Sequence, residues 1–185
     1  LGLGTVVLTL AAQDTVKSLL GGFIIFADKP FKVGDYIKVQ NYQGTVEDMT
    51  LRSTRIRQLD DSVLQIPNSV IASASIENFS KMRRRRYALN LDIVEDTKPE
   101  KIVELKQRIY EDLMKNENII KDTISIYFTE IAESSFRISI YFYFDVTDYN
   151  EFLELKDGVN RNIVTILNKE KVSLAYDTKT IEIKK

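Results

Sequence analysis

An apolar, helix-forming segment opens the sequence and runs directly into a β-rich region. Residues 1–27 read LGLGTVVLTLAAQDTVKSLLGGFIIFA, and residues 28–39 read DKPFKVGDYIKV. A transmembrane helix needs about 20 mainly apolar residues, whereas the uninterrupted apolar stretch covers 1–12, and the chain starts with leucine instead of methionine. We therefore interpret the opening as the end of a longer membrane region that joins a folded domain without a linker.

Gln13 and Asp14 interrupt this apolar segment. A carboxylate is costly at bilayer depth, and aspartate is a favourable residue for capping a helix N-terminus. We therefore predict a break or bend at these two residues, followed by an amphipathic helix over 15–27 that lies along the membrane surface. Within that second helix, Gly21 and Gly22 permit close packing or bending.

The first part of the segment has the pattern of a helix that could line a pore. Leu3, Val6 and Leu10 share one helix face. Small residues lie on the neighbouring faces: Gly2, Thr5, Thr9 and Ala12. Small residues let helices approach closely in lipid, and an apolar constriction can block ions by dewetting. The pattern alone also fits an ordinary buried helix, so both interpretations stay open at this point.

The composition removes several kinds of chemistry. Neither cysteine nor histidine occurs in the 185 residues, which excludes disulfides, metal sites built from these residues, cysteine nucleophiles and histidine acid–base catalysis. The carboxylates, lysines, tyrosines and hydroxyls that remain form no recognisable cluster. We therefore expect no enzyme activity, no catalytic residues, no metal and no cofactor. The formal net charge of −1 argues against a broad affinity for nucleic acid.

Short β-forming runs separated by turn residues occupy residues 30–81. The predicted turns include Gln43-Gly44 and Asp60-Asp61. Several short strands with turns at regular spacing indicate a small β-barrel. Such a barrel could also bind nucleic acid, so this region by itself leaves the function open.

Residues 82–178 show the periodicities of a strand, a helix, two strands and a second helix. This order is most of a ferredoxin-like α+β sandwich. Four arginines, at 83–86, open the region. They could hold phosphates or acidic lipid, or form a solvated connector. The last residues, 179–185, alternate as a short strand that could pair with the same strand in other subunits.

Three segments carry a resemblance to a known family. They are AAQDTVKSLLGGFIIFADKPFKVGDYIKV, QGTVEDMTLRSTRIRQLDDSVLQIPNSVI and IENFS, in this order across about residues 11–80. With them, the chain resembles the C-terminal two-thirds of an MscS-type mechanosensitive channel of small conductance. The resemblance implies four regions: a pore-lining helix with a bend and an interfacial amphipathic helix (1–29), a small Sm-like all-β domain (30–81), a ferredoxin-like α+β domain (82–178) and a C-terminal strand (179–185).

The resemblance also implies a function. The expected protein is a homo-oligomeric ring, usually a heptamer, that forms an ion channel opened by membrane tension and releases ions and small osmolytes on hypoosmotic shock. It would lie in the plasma (inner) membrane in contact with lipid, with residues from about 30 onward in the cytoplasm. No nucleic-acid partner is expected.

The resemblance and the pattern together assign site residues. Val6 and Leu10 match the apolar pore constriction of the family, and Pro30 and Phe31 match the junction that couples the helix to the β domain. The packing residues of the pore helix are Gly2, Thr5, Thr9 and Ala12. The bend and hinge residues are Gln13, Asp14, Gly21 and Gly22. The positions expected to fix turns are Asn68 and Asn78.

Two alternatives to a tension-opened channel remain from the sequence. A ligand-gated channel or a non-conducting scaffold of the same family would share these domains, although no phosphate-cradling glycine loop is evident. An RNA-binding module built on the small barrel would use Arg83 to Arg86, and its binding would weaken steeply with salt. The RNA-binding alternative leaves the apolar residues 1–27 unexplained.

Overall fold

The computed structural model describes residues 2–176, with side chains from Leu10 onward except that of Ala11. The chain divides into two compact units, Leu1–Met82 and Arg83–Lys185. The division falls at the start of the arginine run, and the apolar opening belongs to the same unit as the β-rich region. The predicted C-terminal strand, 179–185, lies outside the described residues.

The first unit begins with one long helix, α1, over Gly2–Asp28. The predicted helix break at Gln13 and Asp14 is therefore wrong. Neither residue is a strong helix breaker, and both side chains are exposed, so the helical hydrogen bonds continue past them without a new cap. A role for these residues as a bend in another state stays a prediction. Among residues 2–176, no helix combines the length and the apolar character that crossing a membrane requires.

In the described part of the first unit, five strands form one antiparallel sheet in the order β4-β3-β2-β1-β5. The elements are β1 (Tyr36–Val39), β2 (Tyr42–Met49), β3 (Ser53–Arg57), β4 (Val63–Pro67), the short helix α2 (Asn68–Ser73) and β5 (Ile76–Asn78). Together with the turn Phe79–Lys81, we call this region the β domain. Ile25 of α1 and Phe31 join its apolar core, so the end of the helix is anchored by burial.

The first hairpin differs from the predicted turn at Gln43-Gly44. The turn comprises Gln40 and Asn41, which separate β1 from β2. Gly44 lies within β2, where a Cβ would come 2.2 Å from the carbonyl oxygen of Arg57. This glycine is needed because two backbones approach closely, not because the chain turns there.

The second unit has the predicted order of strand, helix, strand, strand and helix. Its described elements are β6 (Arg85–Val94), α3 (Pro99–Lys115), β7 (Ser125–Ile131), β8 (Ser135–Phe144) and α4 (Tyr149–Glu170). Within residues 83–176, the strands form an antiparallel sheet in the order β6-β8-β7. Apolar side chains from the two helices and from β6 and β8 share one core, as the alternating strand pattern and the apolar helix stripes require.

Tyr87 places a polar group inside this core. Its ring stacks on Phe142 with 4.6 Å between the centroids, and its hydroxyl donates a 2.7 Å hydrogen bond to Oδ1 of Asn160 on α4. Burial raises the pKa of the Tyr87 hydroxyl to about 12, because the phenolate would lose its hydration in the core.

We expect alkaline unfolding to depend on Tyr87. The folded protein holds this proton more tightly than the unfolded chain, so the free energy of unfolding should fall as pH rises from about 10, the ordinary tyrosine pKa, through about 12. Urea unfolding at several pH values measures this slope, and Tyr87→Phe should flatten it. A slope that is the same in Tyr87→Phe and in the wild type would contradict the assignment.

Candidate functional site: a long helix seated on the β domain

A narrow face of α1 is buried against the β domain. The buried residues, Ser18, Gly21, Gly22 and Ile25, are spaced i, i+3, i+4 and i+7, so they share one helix face. They pack on α2 and on the loop between β2 and β3. We call this contact the helix seat.

A pair of hydroxyls closes the N-terminal end of the helix seat. The Oγ atoms of Ser18 and Ser69 lie 3.1 Å apart, at hydrogen-bond distance, and Ser18 is 5% exposed. Ser18 stands next to the exposed Lys17 in the sequence, yet it faces the β domain. The buried face of α1 is small and polar because its partner is the backbone and a hydroxyl of α2.

The two glycines bring α1 against backbone carbonyls. A Cβ at Gly21 would lie 2.6 Å from the carbonyl oxygen of Asn68, and a Cβ at Gly22 would lie 2.2 Å from that of Leu51. Both distances are shorter than any ordinary contact, so a larger residue would push the helix away from the β domain. Close packing is thus the role that the structure assigns to this pair, and their hinge role stays a prediction.

The buried side chain of Asn68 holds the β2–β3 loop, the part of the β domain that lies against Gly22. Its Nδ2 donates to the carbonyl oxygens of Thr50 and Leu51 at 2.9 and 3.0 Å, and its Oδ1 accepts from Oγ1 of Thr54 at 2.9 Å. Asn68 is 2% exposed, so these bonds take the place of water. The expectation that Asn68 fixes a turn is confirmed, since it holds the β2–β3 loop against Gly22.

A second contact holds the C-terminal end of α1. Nδ2 of Asn78 donates to the carbonyl oxygen of Pro30 at 3.0 Å and to the carboxylate of Asp35 at 2.8 Å. Nζ of Lys81 donates to the carbonyl oxygens of Lys29 and Pro30 at 3.1 and 2.9 Å. We call this set of contacts the end clasp.

The end clasp contains residues that the sequence indicated and one that it did not. Oδ1 of Asn78 accepts the backbone N–H groups of Ser80 and Lys81, so its expected role in fixing a turn is confirmed. Pro30 contributes its carbonyl, and Phe31 is 2% exposed in the core of the β domain; their coupling role stays a prediction. Sequence reasoning missed Lys81, because nothing in the local pattern brings it to the end of a helix far away in the chain.

The other faces of α1 carry exposed apolar side chains. Leu10 is 65% exposed and Phe23 is 71% exposed. The further exposed apolar residues of the helix are Val16, Leu19, Leu20, Ile24 and Phe26. A contiguous apolar surface of this kind marks contact with a membrane or with another protein surface. The arrangement suits a helix that is attached on one side and in an apolar environment on the others.

The predicted pore residues are only partly described. Leu10 and Ala12 are exposed on α1. The side-chain positions of the other predicted constriction and packing residues lie outside the described part: Gly2, Thr5, Val6 and Thr9. All of these residues lie on α1, and both the pore lining and the constriction stay predictions.

Three arginines of the run contact aromatic rings or the backbone of the second unit. The guanidinium of Arg84 lies 4.5 Å from the ring centroid of Tyr143, and that of Arg86 lies 5.5 Å from the ring centroid of Tyr141. Arg85 donates a 2.8 Å bond to a backbone carbonyl of the β8–α4 loop. Arg83, Arg84 and Arg86 are exposed, so the RNA-binding alternative stays a hypothesis.

The fold and the helix seat together define a class of protein. A long helix with exposed apolar faces is held on a small antiparallel β domain, and an α+β domain follows in sequence. In the part of the chain that the structure describes, no group of three or more potential ligand side chains is placed to hold a metal ion. The class is thus a protein with a long helix that has exposed apolar faces and is seated on a β domain, with an α+β domain following in sequence.

Both folded domains match known sequence families. Residues 14–81 match the family described as mechanosensitive ion channel, beta-domain. Residues 89–174 match the family described as mechanosensitive ion channel MscS, C-terminal. Because the two matches follow one another along the chain, and its relatives carry the same family name, the chain belongs to the MscS family.

Individual relatives and a solved structure agree with this assignment. An uncharacterized MscS family protein of Aquifex aeolicus is 37% identical over 185 residues, which cover 100% of this chain and 50% of the relative. The small-conductance mechanosensitive channel MscMJ of Methanocaldococcus jannaschii is 32% identical over 185 residues, with 100% and 53% covered. The cryo-EM structure of Arabidopsis thaliana MSL1 superposes with a TM-score of 0.88 at 26% identity, covering 95% of this chain and 64% of that one. The chain therefore spans about half the length of the curated relatives that it matches.

Proposed function

We propose that this chain is part of an ion channel that membrane tension opens, with α1 as the moving element. The observation that carries the proposal is the division of α1 into a buried face of small residues on the helix seat and exposed apolar faces elsewhere. Such a helix can present apolar surface to lipid and to neighbouring helices while it stays attached to a folded domain. The relative MscMJ is named as a small-conductance mechanosensitive channel, which supports the same activity.

The proposed gate is an apolar constriction. Tension favours the state with the larger in-plane area, so it shifts an equilibrium between closed and open states. Rings of Val6 and Leu10 would exclude water and ions while they are close together. Opening moves the rings apart, water fills the gap, and ions and small osmolytes leave after a hypoosmotic shock. Gln13 and Asp14 would absorb the change in helix direction.

The proposed assembly is a homo-oligomeric ring of seven subunits in the plasma (inner) membrane. Lys29 and Lys32 follow α1 directly, and basic residues just outside a membrane segment favour the cytoplasmic side. Residues from about 30 onward would therefore lie in the cytoplasm. Lipid would contact the exposed apolar residues of α1. Neighbouring pore helices would pack through small residues, namely Gly2, Thr5, Thr9 and Ala12.

Leu10→Ser tests the proposed seal. A hydroxyl in place of the leucine side chain lets water enter the constriction, so we expect openings at lower suction, or without suction. The measurement is a patch-clamp pressure ramp on the full-length protein in a bacterial membrane that lacks other mechanosensitive channels. Leu59→Ser is the matched control, because Leu59 is 87% exposed and lies in the loop between β3 and β4, outside the proposed rings and outside α1. Equal thresholds for wild type and Leu10→Ser would remove Leu10 from the gate.

A further inference from the structure

We propose that Lys81 is a positioning residue that links movement of α1 to the segment leading into the second unit, in parallel with the helix seat. The inference deepens the proposed channel function and rests on it. The end clasp joins the backbone that follows α1 to residues 78–81. Arg83, the first residue of the second unit, comes only two positions later.

The position of Lys81 suits a cation. The C-terminal end of a helix carries partial negative charge and carbonyl groups without helical partners. The chain leaves α1 through Lys29, whose φ of 46° lies in the left-handed region, as is usual at a helix C-terminus. The ammonium group of Lys81 satisfies the carbonyl oxygens of Lys29 and Pro30 just beyond this turn.

Asn78 makes the end clasp a closed set of hydrogen bonds. Its Nδ2 bridges the carbonyl oxygen of Pro30 and the carboxylate of Asp35, and Asp35 is 4% exposed. Its Oδ1 accepts from the backbone N–H groups of Ser80 and Lys81 at 3.0 and 3.2 Å. Asn78 thus fixes the backbone of Lys81, while the side chain of Lys81 reaches back to the helix end. A shift of the helix end must strain this closed set or carry residues 78–81 with it.

The end clasp and the helix seat contact different parts of the β domain. The helix seat uses α2 and the β2–β3 loop. The end clasp uses the start of β1 and the turn after β5. Loosening the end clasp alone should therefore leave the helix seat intact. Loosening the end clasp removes one restraint on the end of α1, so less tension should be needed to open the channel.

The test compares Lys81→Met with Lys81→Arg in the full-length protein. Lys81→Met keeps the side-chain stem and loses the ammonium, whereas Lys81→Arg keeps a charged donor. Lys98→Met is the matched control, because Lys98 is exposed, lies outside the first unit, and its side chain has no hydrogen bond or ion pair within the described residues. The first readout is the tension threshold in a patch-clamp pressure ramp.

The second readout is the distance between the helix end and the β domain. Residues 1–185 contain no cysteine, so spin labels are attached at Asp28→Cys and Ser75→Cys, both exposed positions, after any cysteine elsewhere in the full-length protein has been replaced by serine. Pulsed EPR then reports the distribution of distances between the two labels. We expect Lys81→Met to broaden this distribution and to lower the threshold, Lys81→Arg to restore both, and Lys98→Met to match the wild type.

The outcomes separate the proposal from the function on which it rests. If Lys81→Met changes neither readout, the end clasp does not position α1 and the proposal is overturned. If the distance distribution broadens but the threshold stays, Lys81 is only structural and its role in transmission is overturned. If the wild type itself gives no current under suction, the proposed channel function fails, and the role of Lys81 in transmission fails with it. The EPR distances then show separately whether the end clasp holds the end of α1.

Discussion

Asn68→Leu is expected to lower the free energy of unfolding of the first unit by at least about 3 kcal/mol. Leucine fills a similar volume, but it leaves the carbonyl oxygens of Thr50 and Leu51 and the hydroxyl of Thr54 without their partner. A buried polar group that loses its hydrogen bond costs about 1–3 kcal/mol, and Asn68 is 2% exposed. Urea unfolding of the wild type and the variant measures the difference.

Asn162→Leu is the control for this prediction. Asn162 is exposed on α4 and donates a 3.0 Å hydrogen bond to Asp112, so its replacement also removes a side-chain hydrogen bond. Because water can take the place of the lost partner, we expect a change within about 0.5 kcal/mol. A loss of stability in Asn68→Leu no larger than in Asn162→Leu would contradict the assigned role of Asn68 in the helix seat.

Gly22→Val is expected to move α1 off the helix seat. The added Cβ would lie 2.2 Å from the carbonyl oxygen of Leu51, and a backbone carbonyl held by Asn68 cannot move aside as a flexible side chain would. Overpacking of this kind costs about 1–3 kcal/mol. We expect this loss in the unfolding free energy of the first unit, together with a changed tension threshold in the full-length protein.

Gly158→Val provides the matched comparison on a different helix. A Cβ at Gly158, in the middle of α4, has no described atom within 4 Å. Valine has a somewhat higher helix propensity than glycine, so this variant should be neutral or slightly stabilising. Equal unfolding free energies for Gly22→Val and Gly158→Val would show that the close contact at Gly22 does not hold the helix.

Much of the second unit could be predicted because its local patterns match its tertiary environment. In β8, Ile138, Ile140, Phe142 and Phe144 are buried, and the intervening residues are more exposed. This alternation is visible in the sequence and requires no knowledge of the partners. The same holds for the apolar stripe of α3. The order of strands and helices therefore follows from periodicity alone.

The helix seat could not be predicted from the same kind of pattern. Serine and glycine on a helix indicate a weak or exposed face, yet here Ser18, Gly21 and Gly22 are buried, because α1 packs on backbone carbonyls and a hydroxyl instead of apolar side chains. The break predicted at Asp14 is absent because neither Gln13 nor Asp14 is a strong helix breaker, so α1 continues through both. A contact with backbone leaves no hydrophobic signal in the sequence.

Gly44 shows a further limit of sequence patterns. Glycine after glutamine indicates a turn, but Gly44 lies within β2, where it allows two strands to approach closely. Lys81 illustrates the same limit at the end clasp, because its carbonyl partners come together only when the whole β domain has folded. Both residues depend on tertiary geometry that no local pattern carries.

A recording from the purified full-length protein in liposomes tests the proposed function most directly. The membrane then contains only the protein and the lipid, and the only stimulus is the tension applied through the patch pipette. The account predicts step-like currents that appear with suction, increase with it and vanish when it is released. Silence up to membrane rupture, with the protein confirmed in the same liposomes, would contradict gating by tension and would favour a ligand-gated channel or a scaffold of this family.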